Sequence, residues 1–75
     1  MTPVDVYFSY GQTPGEAEMR AMDGVREVYG IRRVTFGEKQ RTVRVEFDAS
    51  RLTESVVLGL LRRAGIDVRD RVVPA

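Results

Sequence analysis

Two periodicities alternate along this chain. Over Val4–Tyr10, apolar Val4, Val6 and Phe8 alternate with Asp5, Tyr7 and Ser9, the pattern of a strand with one buried face. Gly11 ends it. Thr13-Pro14-Gly15-Glu16 then predicts a helix start: Thr13 at the cap, Pro14 at the first helical position, and Glu16 reaching back to the cap. Ala17, Ala21, Val25 and Val28 follow at helical spacing with Gly24 on the same side, while Glu18, Arg20, Asp23 and Glu27 lie on or near the opposite face. Gly24 costs about 1 kcal/mol of helix propensity relative to Ala, which predicts a compensating close approach to the sheet. Met19 and Met22 fall on the helix flank as partly exposed packing residues. Tyr29-Gly30 closes the helix.

Ile31–Phe36 is a second strand, with Arg32, Val34 and Phe36 on one face and Arg33 and Thr35 on the other. Gly37-Glu38-Lys39-Gln40 reads as a hairpin turn. In the third strand, Arg41–Asp48, Val43, Val45 and Phe47 point inward and Thr42, Arg44 and Glu46 outward. After the loop 48–52, Thr53 caps a second helix whose stripe is Val56, Val57, Leu60, Leu61 and Ala64. Arg62 and Arg63 complement its C-terminal end, and Gly65 stops it. Ile66–Val73 is a fourth strand, with Val68 and Val72 on one face and Arg69 and Arg71 on the other; Pro74 closes the chain. The order β-α-β-β-α-β predicts an α+β, ferredoxin-like sandwich: a four-stranded antiparallel sheet ordered 4-1-3-2 with two helices on one face. Strands four and two are its edges, with Arg32, Arg33, Arg69 and Arg71 as charged guards against edge pairing.

Composition narrows the function classes. The chain has 75 residues and a net charge of +1, the size of one domain (1–75) with no strong field toward nucleic acid or membrane. No apolar run approaches the ~18 residues of a membrane span. Met1–Asp5 leads straight into a strand pattern instead of a signal peptide, so the expected location is cytoplasmic. There is no Cys and no His, which excludes disulfides, Cys nucleophiles and His-assisted triads. No carboxylate pair is spaced for acid–base work, and an enzyme is not expected.

Across about Val4–Val68 the chain resembles the heavy-metal-associated domain of copper chaperones and of the N-terminal arms of metal-pumping ATPases. Gly11 matches the glycine that leads that family's Gly-Met-x-Cys-x-x-Cys loop. Val25, Val28, Gly30 and Ile31 match its first helix, Val34 and Phe36 its second strand, Val43-x-Val45-x-Phe47-Asp48 its third, and Thr53–Gly65 its second helix. The resemblance implies a metal loop at residues 11–17, but the methionine falls on Gln12 and the cysteines on Pro14 and Ala17. Ile66 stands where the family often has an aromatic. Two-coordinate Cu(I) needs converging thiolates, and proline and alanine supply no donor. The carboxylates of Glu16 and Glu18 are better used at the helix start than in a calcium or magnesium site. Val25–Arg32 is loosely similar to the acylphosphatase phosphate loop, but it closes the helix instead of opening it, and the chain has no Asn.

The expected function is therefore a non-catalytic member of this fold group without metal ligands or cofactor, used for protein interaction or regulation, with a protein partner or a second copy. The candidate surface is the open sheet face, with Tyr7, Arg33, Arg44, Glu46 and Arg69 as interaction residues, engaged directly or through an edge strand. Two alternatives stand beside it: heavy-metal binding through atypical ligands, and weak nucleic-acid binding on the sheet face. RNA-recognition domains stack bases on several aromatics of that face, whereas here only Tyr7 is available and Asp5 and Glu46 offset the arginines.

Overall fold

The computed structural model describes residues 2–73, so Pro74 lies outside the described residues. The elements follow the predicted order: β1 (Pro3–Tyr10), α1 (Glu16–Arg26), β2 (Ile31–Gly37), β3 (Thr42–Asp48), α2 (Glu54–Arg63) and β4 (Val68–Val72). The strands form one antiparallel sheet in the order β2-β3-β1-β4, which is 4-1-3-2 read from the other edge. Val6, Phe8, Val43, Val45 and Phe47 project from the central strands to one side, where Met22 and Val25 of α1 and Val57 and Leu61 of α2 cover them. Each such side chain contributes roughly 1.5–3 kcal/mol through burial, and this shared face is what fixes both helices on one side of the sheet. Among the described residues no helix is long and apolar enough to cross a membrane.

Several local expectations are corrected. Helix α1 starts later than the Thr13 cap implies: its N-cap is Gly15, and the Glu18 carboxylate accepts the Gly15 N–H at 3.0 Å. Glu16 instead pairs with Arg20 one turn on, at 2.7 Å. The buried stripe also differs from the one expected. Met22 is fully buried, whereas Ala17 and Ala21 are exposed and Met19 is 37% exposed. A Cβ placed on Gly24 would meet nothing within 4 Å, so no close approach to the sheet compensates this glycine. In the second helix the Thr53 cap follows expectation, its Oγ1 accepting the Val56 N–H at 3.2 Å. Val56, expected in the apolar stripe, is exposed, whereas Val57 and Leu61 are buried. Gly30 (φ 105°) and Gly65 (φ 93°) follow the helices in the left-handed region, where a side chain is strained.

Both edge strands are irregular, and each irregularity moves side chains between faces. Ile31 lies opposite Phe47 and Arg33 opposite Glu46, so β2 sets two residues against one step of β3. Ile31 joins the core margin while Arg32, expected inward, is exposed. In β4, Val68 lies opposite Tyr10 and Arg71 opposite Phe8, leaving Ser9 to face both Arg69 and Asp70. The Asp70 N–H donates to Ser9 Oγ at 3.0 Å, and the Ser9 hydroxyl donates back to the Asp70 carbonyl at 3.3 Å. Beyond this bulge the faces are reversed. Arg71, expected on the open face, shares the helix side with Phe8 and reaches Glu54 of α2 at 2.6 Å. Val72, expected inward, lies opposite Tyr7 on the open face.

Candidate functional site

The β1–α1 loop is where the sequence resemblance implies a metal. Its backbone is tied down by side chains from distant parts of the chain. The Gly11 N–H donates to the Asp67 carbonyl at 3.0 Å, and the Gln12 N–H donates to Asp67 Oδ2 at 3.1 Å. The Arg41 guanidinium donates to the Gly11 carbonyl. Asp67 Oδ2 also accepts from Arg69 Nε at 3.2 Å and from a terminal guanidinium nitrogen at 2.9 Å. Arg69 first, and then the Gln12 N–H, hold the Asp67 carboxyl below its ordinary range. Close approach leaves no space at Gly11: a Cβ there would sit 2.6 Å from Asp67 Oδ2. Beside the loop, Tyr10, Thr13, Pro14, Met19, Phe36 and Glu38 line a pocket of about 80 Å³, with Tyr10 and Phe36 edge to face at 5.8 Å.

This donor set does not fit a soft metal. Thr13 and Pro14 offer no thiolate, and the Asp67 carboxylate beside the loop is engaged by Gln12 and Arg69. Among the described residues no three carboxylates converge as a metal-binding group. A single thioether and a partly lined apolar pocket do not replace two converging sulfurs.

The open sheet face brings four of the five sequence-predicted residues together. Tyr7 of β1 lies opposite Arg44 of β3, and Glu46 lies between Asp5 and Arg33 in register. Arg44 donates to Asp5 at 2.9 Å, approaches Glu46 at 3.7 Å, and holds its guanidinium carbon 5.9 Å from the Tyr7 ring centroid. The Asp5 hydrogen bond and charge raise the Arg44 pKa further above its ordinary value. Arg44 Nε is enclosed and has no acceptor among the described residues, because the head group is drawn toward the two carboxylates. Arg32 approaches the same Glu46 at 3.7 Å. Arg33 is exposed, and no ion pair involves it among the described residues. The patch is thus an alternating lattice of charge around Tyr7, not a uniformly positive surface.

Arg69 does not join that patch. It is held at the β1–α1 loop by Asp67, within the bulge. Sequence reasoning missed Asp67 altogether, since a contact spanning 55 residues leaves no local signal. Arg32 and Val72 were placed on the wrong face, and the bulges that move them are not written in the alternation. Asp5 was legible from the strand pattern, as was Glu46.

No protein-family model matches the chain, and no curated protein does. Solved structures do. Oxidized MerP from Ralstonia metallidurans CH34 superposes with a TM-score of 0.72 at 18% identity, covering 92% of this chain and 97% of that one. Apo-CopP from Helicobacter pylori gives 0.72 at 22%, covering 88% and 100%. The yeast copper transporter domain CCC2A, solved in the apo and Cu(I)-loaded states, gives 0.70 at 12%, covering 95% and 97%. The class defined here is the small βαββαβ sandwich of these proteins. The chain has that fold over nearly its whole length.

Proposed function

We propose that this chain is a non-catalytic domain built on a metal-carrier fold that works by recognising a protein, not by coordinating metal through its own thiolates. The observation that carries this reading is the β1–α1 loop. Where the resemblance puts donors, the backbone of Gly11 and Gln12 is held by Arg41 and Asp67, which supports a loop shaped without an ion. The contact surface is the open sheet face, where Tyr7, Arg33, Arg44 and Glu46 present an aromatic among mixed charges. Tyrosine and arginine are the residues on which protein interfaces most often depend. The edge strand β2, with Arg33 exposed at its outer side, offers a second mode by strand addition.

Solution mass measurement combined with capture experiments tests it. The unaltered protein is expected to self-associate or to retain a defined partner, and Tyr7→Ala or Arg33→Glu to weaken that association. A strictly monomeric protein that retains nothing from its own lysate refutes the reading.

The fold itself favours a second reading, heavy-metal binding through atypical ligands, because one solved neighbour is a copper transporter domain described in a Cu(I)-loaded state. Titration with Cu(I) or Zn(II), followed through amide shifts, separates the two. Saturable shifts at residues 11–17 and 66–69 support metal binding, and their absence removes it.

A further inference from the structure

At the pole of the fold remote from the β1–α1 loop, the turn between α1 and β2 meets the loop between β3 and α2. An open cleft of about 420 Å³ lies between them. Arg26, Arg32 and Arg51 bring three guanidinium groups to it, and Val28 and Ile31 supply apolar lining. Tyr29 also lines the cleft and is 71% exposed. The Arg51 guanidinium carbon sits 4.2 Å from the Tyr29 ring centroid, so cation–π attraction orders a large aromatic that folding has left in water.

The three arginines outnumber the two acids, Glu27 and Asp48, that line the cleft. Asp48 is buried, and its Oδ1 accepts from the Thr2 N–H at 3.1 Å, the Ser50 N–H at 3.0 Å and the Ser50 hydroxyl at 2.6 Å. It braces the loop. Arg51 Nε pairs with Asp48 and Arg26 with Asp23, each at 3.6 Å and so longer than a formed hydrogen bond. Arg26 also donates to the Val34 carbonyl at 3.5 Å. Among the described residues the Arg51 guanidinium has no hydrogen-bond acceptor. Glu27 is the remaining acid in the lining.

We propose that this cleft binds an oxyanion, carboxylate or phosphate, carried on a planar or apolar body. Arg51 and Arg26 take the oxyanion, for which the guanidinium fork is matched in shape and charge. The body lies against Tyr29, with Val28 and Ile31 beneath it. A few convergent polar groups over an apolar floor are what a small-ligand site requires. This site is independent of the sheet-face reading, because Tyr7, Arg33 and Arg44 do not line it.

Amide-detected NMR titration of the full chain with three probes tests the proposal: inorganic phosphate, phenyl phosphate, and a short glutamate-rich peptide containing one phenylalanine. Phenyl phosphate is expected to shift residues 26–32 and 48–51 saturably, with affinity about tenfold above inorganic phosphate. Arg51→Gln weakens it about tenfold, and Tyr29→Leu erases its advantage over inorganic phosphate. The peptide arm identifies the source: tighter binding than phenyl phosphate means an acidic segment of a protein, and weaker binding means a free small molecule. Three results overturn the proposal. They are no saturable shift up to roughly 10 mM of any probe, shifts confined to the open sheet face, or unchanged binding in Arg51→Gln and Arg26→Gln variants shown by thermal melting to be folded.

Discussion

Replacing Met22 by alanine tests the packing of α1 directly. Met22 is among the largest fully enclosed side chains, seated between α1 and the sheet with Val25, Val57 and Leu61. Truncation removes its transfer free energy and leaves a cavity that the surrounding strands cannot wholly fill, a loss of about 2–5 kcal/mol. The total available is small. For a chain of 75 residues, a stability of about 0.05–0.15 kcal/mol per residue gives roughly 4–11 kcal/mol. Met22→Ala is therefore expected to remove between a fifth of the stability and all of it. Met19→Ala is the matched control, because Met19 lies three residues away and is 37% exposed; its expected cost is under about 1 kcal/mol. Urea titration of all three proteins, with a common m-value, gives the comparison. Equal midpoints for the two variants would refute the placement of Met22 in the core and restore the flank position that helical spacing alone suggests.

Three further predictions concern single sites. Gly24→Ala should stabilise the protein by about 1 kcal/mol, because the new Cβ meets open space and the helix regains propensity; a lower melting temperature would mean that a contact at Gly24 has been overlooked. The Asp48 carboxyl is held down to about 2 from an ordinary 3.8, first by the Ser50 hydroxyl and then by the Thr2 and Ser50 N–H groups. Since its folded value lies below its unfolded one, its contribution is complete above the unfolded value and disappears as pH falls from about 4 toward 2. Urea midpoints measured across that range should fall less steeply for Asp48→Asn, and parallel curves would count against the assignment. Gly11→Ala forces a Cβ to within 2.6 Å of Asp67 Oδ2, so hydrogen exchange at the Gln12 amide should accelerate while the core amides stay protected; unchanged exchange would show that the loop is not held by Asp67.

The fold was legible because one face of every strand and both helices had to be apolar, and few arrangements bury six such faces together. Val43, Val45 and Phe47 announce their side of the sheet by simple alternation, and Thr53 announces its helix. What escaped prediction depends on contacts between remote residues or on a one-residue change of register. Met22 was misplaced because which stripe of α1 faces inward is decided by its packing against the sheet and α2, where Met22 and Val25 are buried. Arg71 was misplaced because the Ser9–Asp70 bulge reverses the end of β4. At the candidate surface, Tyr7, Arg44 and Glu46 follow from the period of two, while Arg69 leaves the patch for Asp67, a partner no local pattern marks.

The hydrogen bonds from the β1–α1 loop to Asp67 carry a consequence for how far the loop can vary. A loop whose shape depends on a bound ion must keep its ligands or lose its form, so drift at those positions is purged. Here Asp67 and Arg41 hold the backbone, so positions 12, 14 and 17 carry no such constraint. They can vary while the rest of the molecule stays folded. A junction braced by its own chain leaves its exposed positions open to substitution without loss of the sheet beneath it.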